Sequence, residues 1–152
     1  MKRHFLYLLA GVAFTVCFFI TSTASSGNLF EWLFYNQGLN DHLFNLSVYP
    51  MLAAIIVCMA WGAAAVYYFV INSVKFDRWW HWLSVLVIVS LVTPLACHAA
   101  TTALLAGAGM DYGAATVQFG LQHIMWTALL FVVASFSMRW WSTNCRHTPF
   151  PQ

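Results

Sequence analysis

Residues 83–105 read LSVLVIVSLVTPLACHAATTALL, a run without Asp, Glu, Lys or Arg. At roughly 1.5 Å per residue, a helix of that length crosses the ~30 Å hydrocarbon core of a bilayer. Lys75 and Arg78 stand just before the run and Asp111 just after it. Working outward, the same charge order repeats. Lys2 and Arg3 precede an apolar run at 5–21, Lys75 follows a run at 51–71, and Arg139 and Arg146 follow a run at 114–138. All 6 Lys and Arg therefore fall on one side of a four-span topology. Glu31, Asp41 and Asp111 occupy the two intervening polar stretches, and Asp77 alone breaks the pattern. Cationic loops are retained in the cytosol. The expectation is an all-α integral membrane protein, four transmembrane helices in an up-down bundle with both termini cytoplasmic. Residues 1–152 form a single transmembrane domain, and the bacterial inner membrane is the expected location.

Composition excludes much else. With 62% hydrophobic and 7% charged residues and a mean hydropathy of +0.74, the chain leaves no stretch for a soluble domain. The net charge of +2 is divided among loops, so nucleic acid is not an expected partner. Cys17, Cys58, Cys97 and Cys145 are widely spaced and form no C-x-x-C. A disulfide framework, a zinc ribbon and a thiol oxidoreductase of the four-helix membrane type are thereby set aside, and buried cysteine is read as small apolar filler.

The first run ends in Ser22-Thr23-Ala24-Ser25-Ser26. Residues 1–24 thus share the outline of a cleavable signal peptide, but the run reaches the minimum for spanning and a retained helix is expected. Residues 27–47 are too apolar for an aqueous loop and too broken to span. Two short helices, around Asn28–Tyr35 and Asp41–Leu46 and separated by a break at Asn36-Gln37-Gly38, are expected in the outer interface. A partner-binding surface is the alternative for this segment. Five tryptophans, Trp79, Trp80, Trp82, Trp140 and Trp141, mark the cytoplasmic boundary, and the tail after Arg139 reads as irregular.

Two faces carry packing information. On the second span Ala53, Ala60 and Ala64 share one side, and Ala54, Cys58 and Gly62 an adjacent one, at spacings that let backbones approach in lipid. On the fourth span Thr116, Gly120, His123, Thr127, Leu130, Ala134 and Ser137 follow a period of 3.5, a small and polar seam suited to protein or water. Gly62, Gly120, Ala60 and Ala64 are the expected packing residues.

The candidates for chemistry are His98, Thr101, Gln118, Gln122 and His123. His98 and His123 are symmetric about the turn between the last two spans, which places them at one expected depth. They read first as mutually satisfied polar groups, aided by a carbonyl freed at Pro94. A water-filled path, a haem between two histidines, or a metal held by Cys97, His98 and His123 are competing readings. No Arg or Lys stands near to hold haem propionates, and Cys97 and His98 point about 100° apart on a helix. No nucleophile–base set, phosphate loop or carboxylate pair can be assembled, so no enzyme activity, cofactor or metal is expected.

The functional expectation is a non-enzymatic inner-membrane subunit that oligomerises or anchors a larger envelope assembly of the secretion or defence type. Its partners are the lipid bilayer and copies of itself or other membrane subunits. A homo-oligomeric pore lined by the fourth-span seam is the first alternative, and a small haem-binding electron-transfer anchor the second.

Overall fold

The structure, a computed structural model, describes residues 2–24 and 27–149, and these are helical with no strand among them. Ser25 and Ser26, in the polar stretch that closes the first run, lie outside the described residues, as do residues 150–152 of the tail. The helices are α1 (Lys2–Ser22), α2 (Leu29–Leu33), α3 (Gln37–Asn45), α4 (Val48–Ala65), α5 (Trp79–Gly107) and α6 (Ala114–Met138). A π-helical turn, Val66–Ile71, continues α4, and 3₁₀ turns cover Val74–Phe76 and Arg139–Trp141. Four of the helices are long and apolar enough to cross a membrane.

Helix ends differ from the apolar runs in instructive ways. α5 begins at Trp79 rather than Leu83 and continues to Gly107 rather than Leu105. An apolar run measures the thickness of the hydrocarbon layer. A helix end is set by where backbone hydrogen bonds find another partner. Between α2 and α3 the break lies at Phe34–Asn36, so Gln37 and Gly38 belong to the first turn of α3 instead of interrupting it. The Asn36 Oδ1 accepts from the Leu39 amide at 3.2 Å, and Asn28 Oδ1 accepts from the Phe30 and Glu31 amides, both at 3.0 Å. Each asparagine thus caps a helix that could not nucleate alone. The α5–α6 turn needs φ > 0 at Gly109 and Gly113, and Asp111 Oδ1 accepts from the Gly113 amide at 2.9 Å.

α6 touches every other long helix. The Trp82 indole donates to Ser135 Oγ at 3.0 Å, and His98 Cβ faces Gly120, so α5 and α6 run antiparallel. α1 lies in the opposite groove: Phe18 packs against Trp126, and the Trp61 indole of α4 donates to Thr15 Oγ1 at 2.9 Å. At Gly11 a Cβ would meet Ser137 Oγ, so only glycine allows α1 to sit this close to α6.

The segment after Arg139, expected to be irregular, is tied down. Asn72 Oδ1 accepts from Ser142 Oγ (2.8 Å) and the Asn144 amide (3.0 Å), and its Nδ2 donates to Thr143 Oγ1 (2.9 Å). The Asn144 side chain donates in return to the Asn72 carbonyl at 2.7 Å, and Tyr68 donates to the Thr148 carbonyl at 3.2 Å. Cys145 is fully buried beneath this clamp, and burial pushes its thiol up from the ordinary range.

Candidate functional site

The five polar residues singled out on α5 and α6 differ in exposure, and no hydrogen bond joins any two of their side chains. His123 and Thr101 are buried, His98 and Gln122 are half-buried, and Gln118 is exposed. His98 lies level with Gly120, which places His123 about one helical turn nearer the Arg139 end, on the order of 4.5 Å deeper. The symmetry of the turn suggests equal depth, but the contact between Gly120 and His98 sets the register of the two helices three residues away from it. His98 and His123 make no hydrogen bond to each other: His98 Nδ1 and both His123 ring nitrogens are unpartnered.

His123 is instead packed among aromatics. Its ring stacks on Phe30 of α2 (5.1 Å between centroids, 29° between planes) and meets the edge of Phe119 (5.1 Å, 72°). Phe30 in turn touches Phe18 of α1, Tyr49 of α4 and Phe119 of α6. A residue of the loop between the first two spans is therefore the meeting point of three long helices. Sequence reading placed Phe30 among aromatics of the membrane interface, because its run is too short to span. The signal that separates it from its neighbours is the helical period. Phe30 lies on the buried face of α2, while Trp32 lies on the exposed face.

Below His123, Trp126 Nε1 and Thr127 Oγ1 are buried without partners, as are both polar atoms of Gln122. This unpartnered polar set lies along α6, with Trp126 against Phe18 of α1. Among the described residues no group of three His, Cys, Asp or Glu is placed to hold a metal, so Cys97, His98 and His123 do not converge. A haem ligand role for His123 would require the Phe30 and Phe119 rings to leave it.

The two small-residue faces have different fates. Thr116, Gly120, His123, Thr127, Leu130, Ala134 and Ser137 are all buried inside the single chain. Ala53, Ala60 and Ala64 are buried too. Ala54, Cys58 and Gly62 are exposed, and a Cβ added at Gly62 would meet nothing within 4 Å. Gly120 contacts His98 at an ordinary 3.7 Å, whereas Gly11, not singled out by its spacing, marks the tightest approach among the glycines.

The chain matches no protein-family model, no curated protein and no solved structure.

Proposed function

We propose that this chain is a non-enzymatic subunit of a membrane assembly. It forms an up-and-down bundle that crosses the bacterial inner membrane four times with both termini in the cytosol, α2 and α3 resting in the outer interface. The observation that carries the association reading is the stripe Ala54, Cys58 and Gly62, which the bundle leaves open while burying the neighbouring face of α4 (Ala53, Ala60 and Ala64) and the seam of α6. In lipid, hydrophobicity does not drive helices together, and a shallow face of small residues gives a partner helix the close backbone contact that does. Burial of the whole α6 seam within one chain speaks against a pore lined by that seam.

The partner is a transmembrane helix of a second copy or of another subunit. Cys58 lies on the stripe and supplies the test. Oxidative cross-linking in nanodiscs, with Cys17 replaced by Ser, yields a Cys58–Cys58 dimer if the partner is a second copy. Mass measurement of the complex isolated from the membrane reports a different subunit. Gly62→Leu should abolish either association while leaving the monomer folded. A strictly monomeric wild type that recovers no other chain defeats the proposal. For the topology, reporters fused after Arg78 and Arg139 should read cytosolic and those after Asp41 and Asp111 external. An external reading at Arg139 would reverse it.

A further inference from the structure

Arg139 opens the 3₁₀ turn that closes α6, and it is only 7% exposed. Its guanidinium carbon lies 4.4 Å from the centre of the Trp140 ring and 5.1 Å from that of Phe136. The two rings attract the cation but supply no oxygen to its five N–H donors. Among the described residues no hydrogen bond or ion pair reaches the guanidinium, and Nε is sealed in without a partner. Nη1 and Nη2 are not sealed, so an anion can approach them from outside. Asp77 is the only acidic side chain at this end of the bundle, and no ion pair joins it to Arg139. A buried cation in this state is costly until an anion reaches it.

Beside this cation runs an apolar groove of about 310 Å³ between α1 and α6. Tyr7, Ala10 and Phe14 line it from α1, and Val133 and Phe136 from α6. Two of these residues tie the groove to Arg139. Phe136 does so through the ring contact already given, and Tyr7 by stacking on Trp140 at 5.7 Å. His4 stacks on the same Trp140 at 4.9 Å, which holds the first turn of α1 beside the end of α6. That turn begins with Lys2 and Arg3. Positive charge and apolar surface thus meet at one place, the charge at the end of the spans and the groove running along them.

We propose that this groove is a site for one anionic phospholipid. Its phosphate accepts from the Nη groups of Arg139, and an acyl chain lies along the groove between α1 and α6. Arginine holds phosphate through parallel N–H···O bonds, and basic pockets between spanning helices suit such headgroups. The apolar lining decides against free phosphate, to which it offers nothing. The surplus of positive charge decides against a headgroup that carries an ammonium. The inference rests on α1 and α6 crossing a bilayer and not on the subunit role.

The test uses the full chain in nanodiscs of equimolar phosphatidylglycerol and phosphatidylethanolamine. Lipid that stays bound after release from the disc is identified by native mass spectrometry. Retained phosphatidylglycerol should be enriched over phosphatidylethanolamine by roughly tenfold or more, the scale of a charge-assisted hydrogen bond. Arg139→Gln should remove that enrichment. Arg146→Gln, at an exposed cation of the same end, should leave it intact, which separates a built site from the general attraction of a basic surface. Ala10→Phe fills the groove from an exposed position and should release the lipid with Arg139 in place. That variant keeps the test decisive if Arg139→Gln folds poorly. Equal retention of both lipids overturns the proposal, as does equal loss in Arg139→Gln and Arg146→Gln. Displacement of the lipid by inorganic phosphate overturns it too, leaving an anion site without a lipid role. A chain that enters no nanodisc removes the spanning reading as well, whereas insertion without lipid selectivity removes this site alone.

Discussion

The Phe30 ring lies stacked on the His123 imidazole, 5.1 Å away and 29° from parallel. A five-residue helix outside the spans is thereby fastened to a residue within α6. The contact makes the connection between the first two spans a structural part of the bundle rather than a tether.

Phe30→Ala should accordingly be among the most damaging single changes, costing about 3–5 kcal/mol as other buried Phe truncations do. Trp32, two residues on, is 78% exposed, and Trp32→Ala should alter stability by roughly 0.5 kcal/mol or less. Unfolding in mixed micelles would rank the two. Amide exchange should show Phe30→Ala loosening residues 29–45 first. Equal effects from both changes would mean that α2 does not dock in this way.

His98 and His123 each lack a mutual hydrogen bond, so their removal should be additive to within about 0.5 kcal/mol. A double-mutant cycle with His98→Ala and His123→Ala measures the coupling directly. Coupling well above that level would point to a shared partner between the two rings.

Gly11→Ala places a methyl group against Ser137 Oγ, and that hydroxyl is fixed by donating to the Val133 carbonyl at 2.7 Å. Because the neighbour cannot easily give way, overpacking of about 1–3 kcal/mol is expected. Ser137→Ala should recover part of the loss in the double variant, while Gly62→Ala should leave the isolated monomer unchanged. Thermal unfolding in detergent distinguishes the three.

The four long apolar helices were legible because hydropathy acts over whole runs, and no local detail is needed to see that 83–105 is long enough to cross a bilayer. The docking of Phe30 was not legible in the same way. Its run is short, and interface aromatics and core aromatics share a composition. Gly11 was missed for a related reason: it stands alone, whereas Gly62 and Gly120 belong to spaced patterns. Spacing reveals faces that could approach, but contact also depends on which helix lies opposite. The seam on α6 shows the converse, for its period of 3.5 marked a face that the structure buries completely.

Cys145 and Asn72 give a test of the tail. A thiol held above its ordinary range presents less thiolate at any given pH, and here it is also covered. Maleimide labelling of Cys145 should be slow at pH 7–8 and should rise only toward more alkaline pH. Asn72→Ala removes the hydrogen bonds that hold residues 142–144 and should cost about 1–3 kcal/mol locally. Labelling at pH 7.5 should then accelerate by roughly tenfold or more, following the tail-opening equilibrium. Unchanged labelling would show that the clamp does not govern access.

The π-helical turn Val66–Ile71 has a consequence for the whole of α4. An extra residue in a turn shifts the phase of everything that follows by about 100° relative to an uninterrupted α-helix. Upstream of it, phase decides which side Ala54, Cys58 and Gly62 present outward. Within the turn and just after it, phase decides where Tyr68 and Asn72 point as they grip residues 142–148. The turn works as an angular offset between two otherwise rigidly geared surfaces. Deleting one residue within it would force a choice between them, so that the outward stripe and the inward grip could not both keep their orientation.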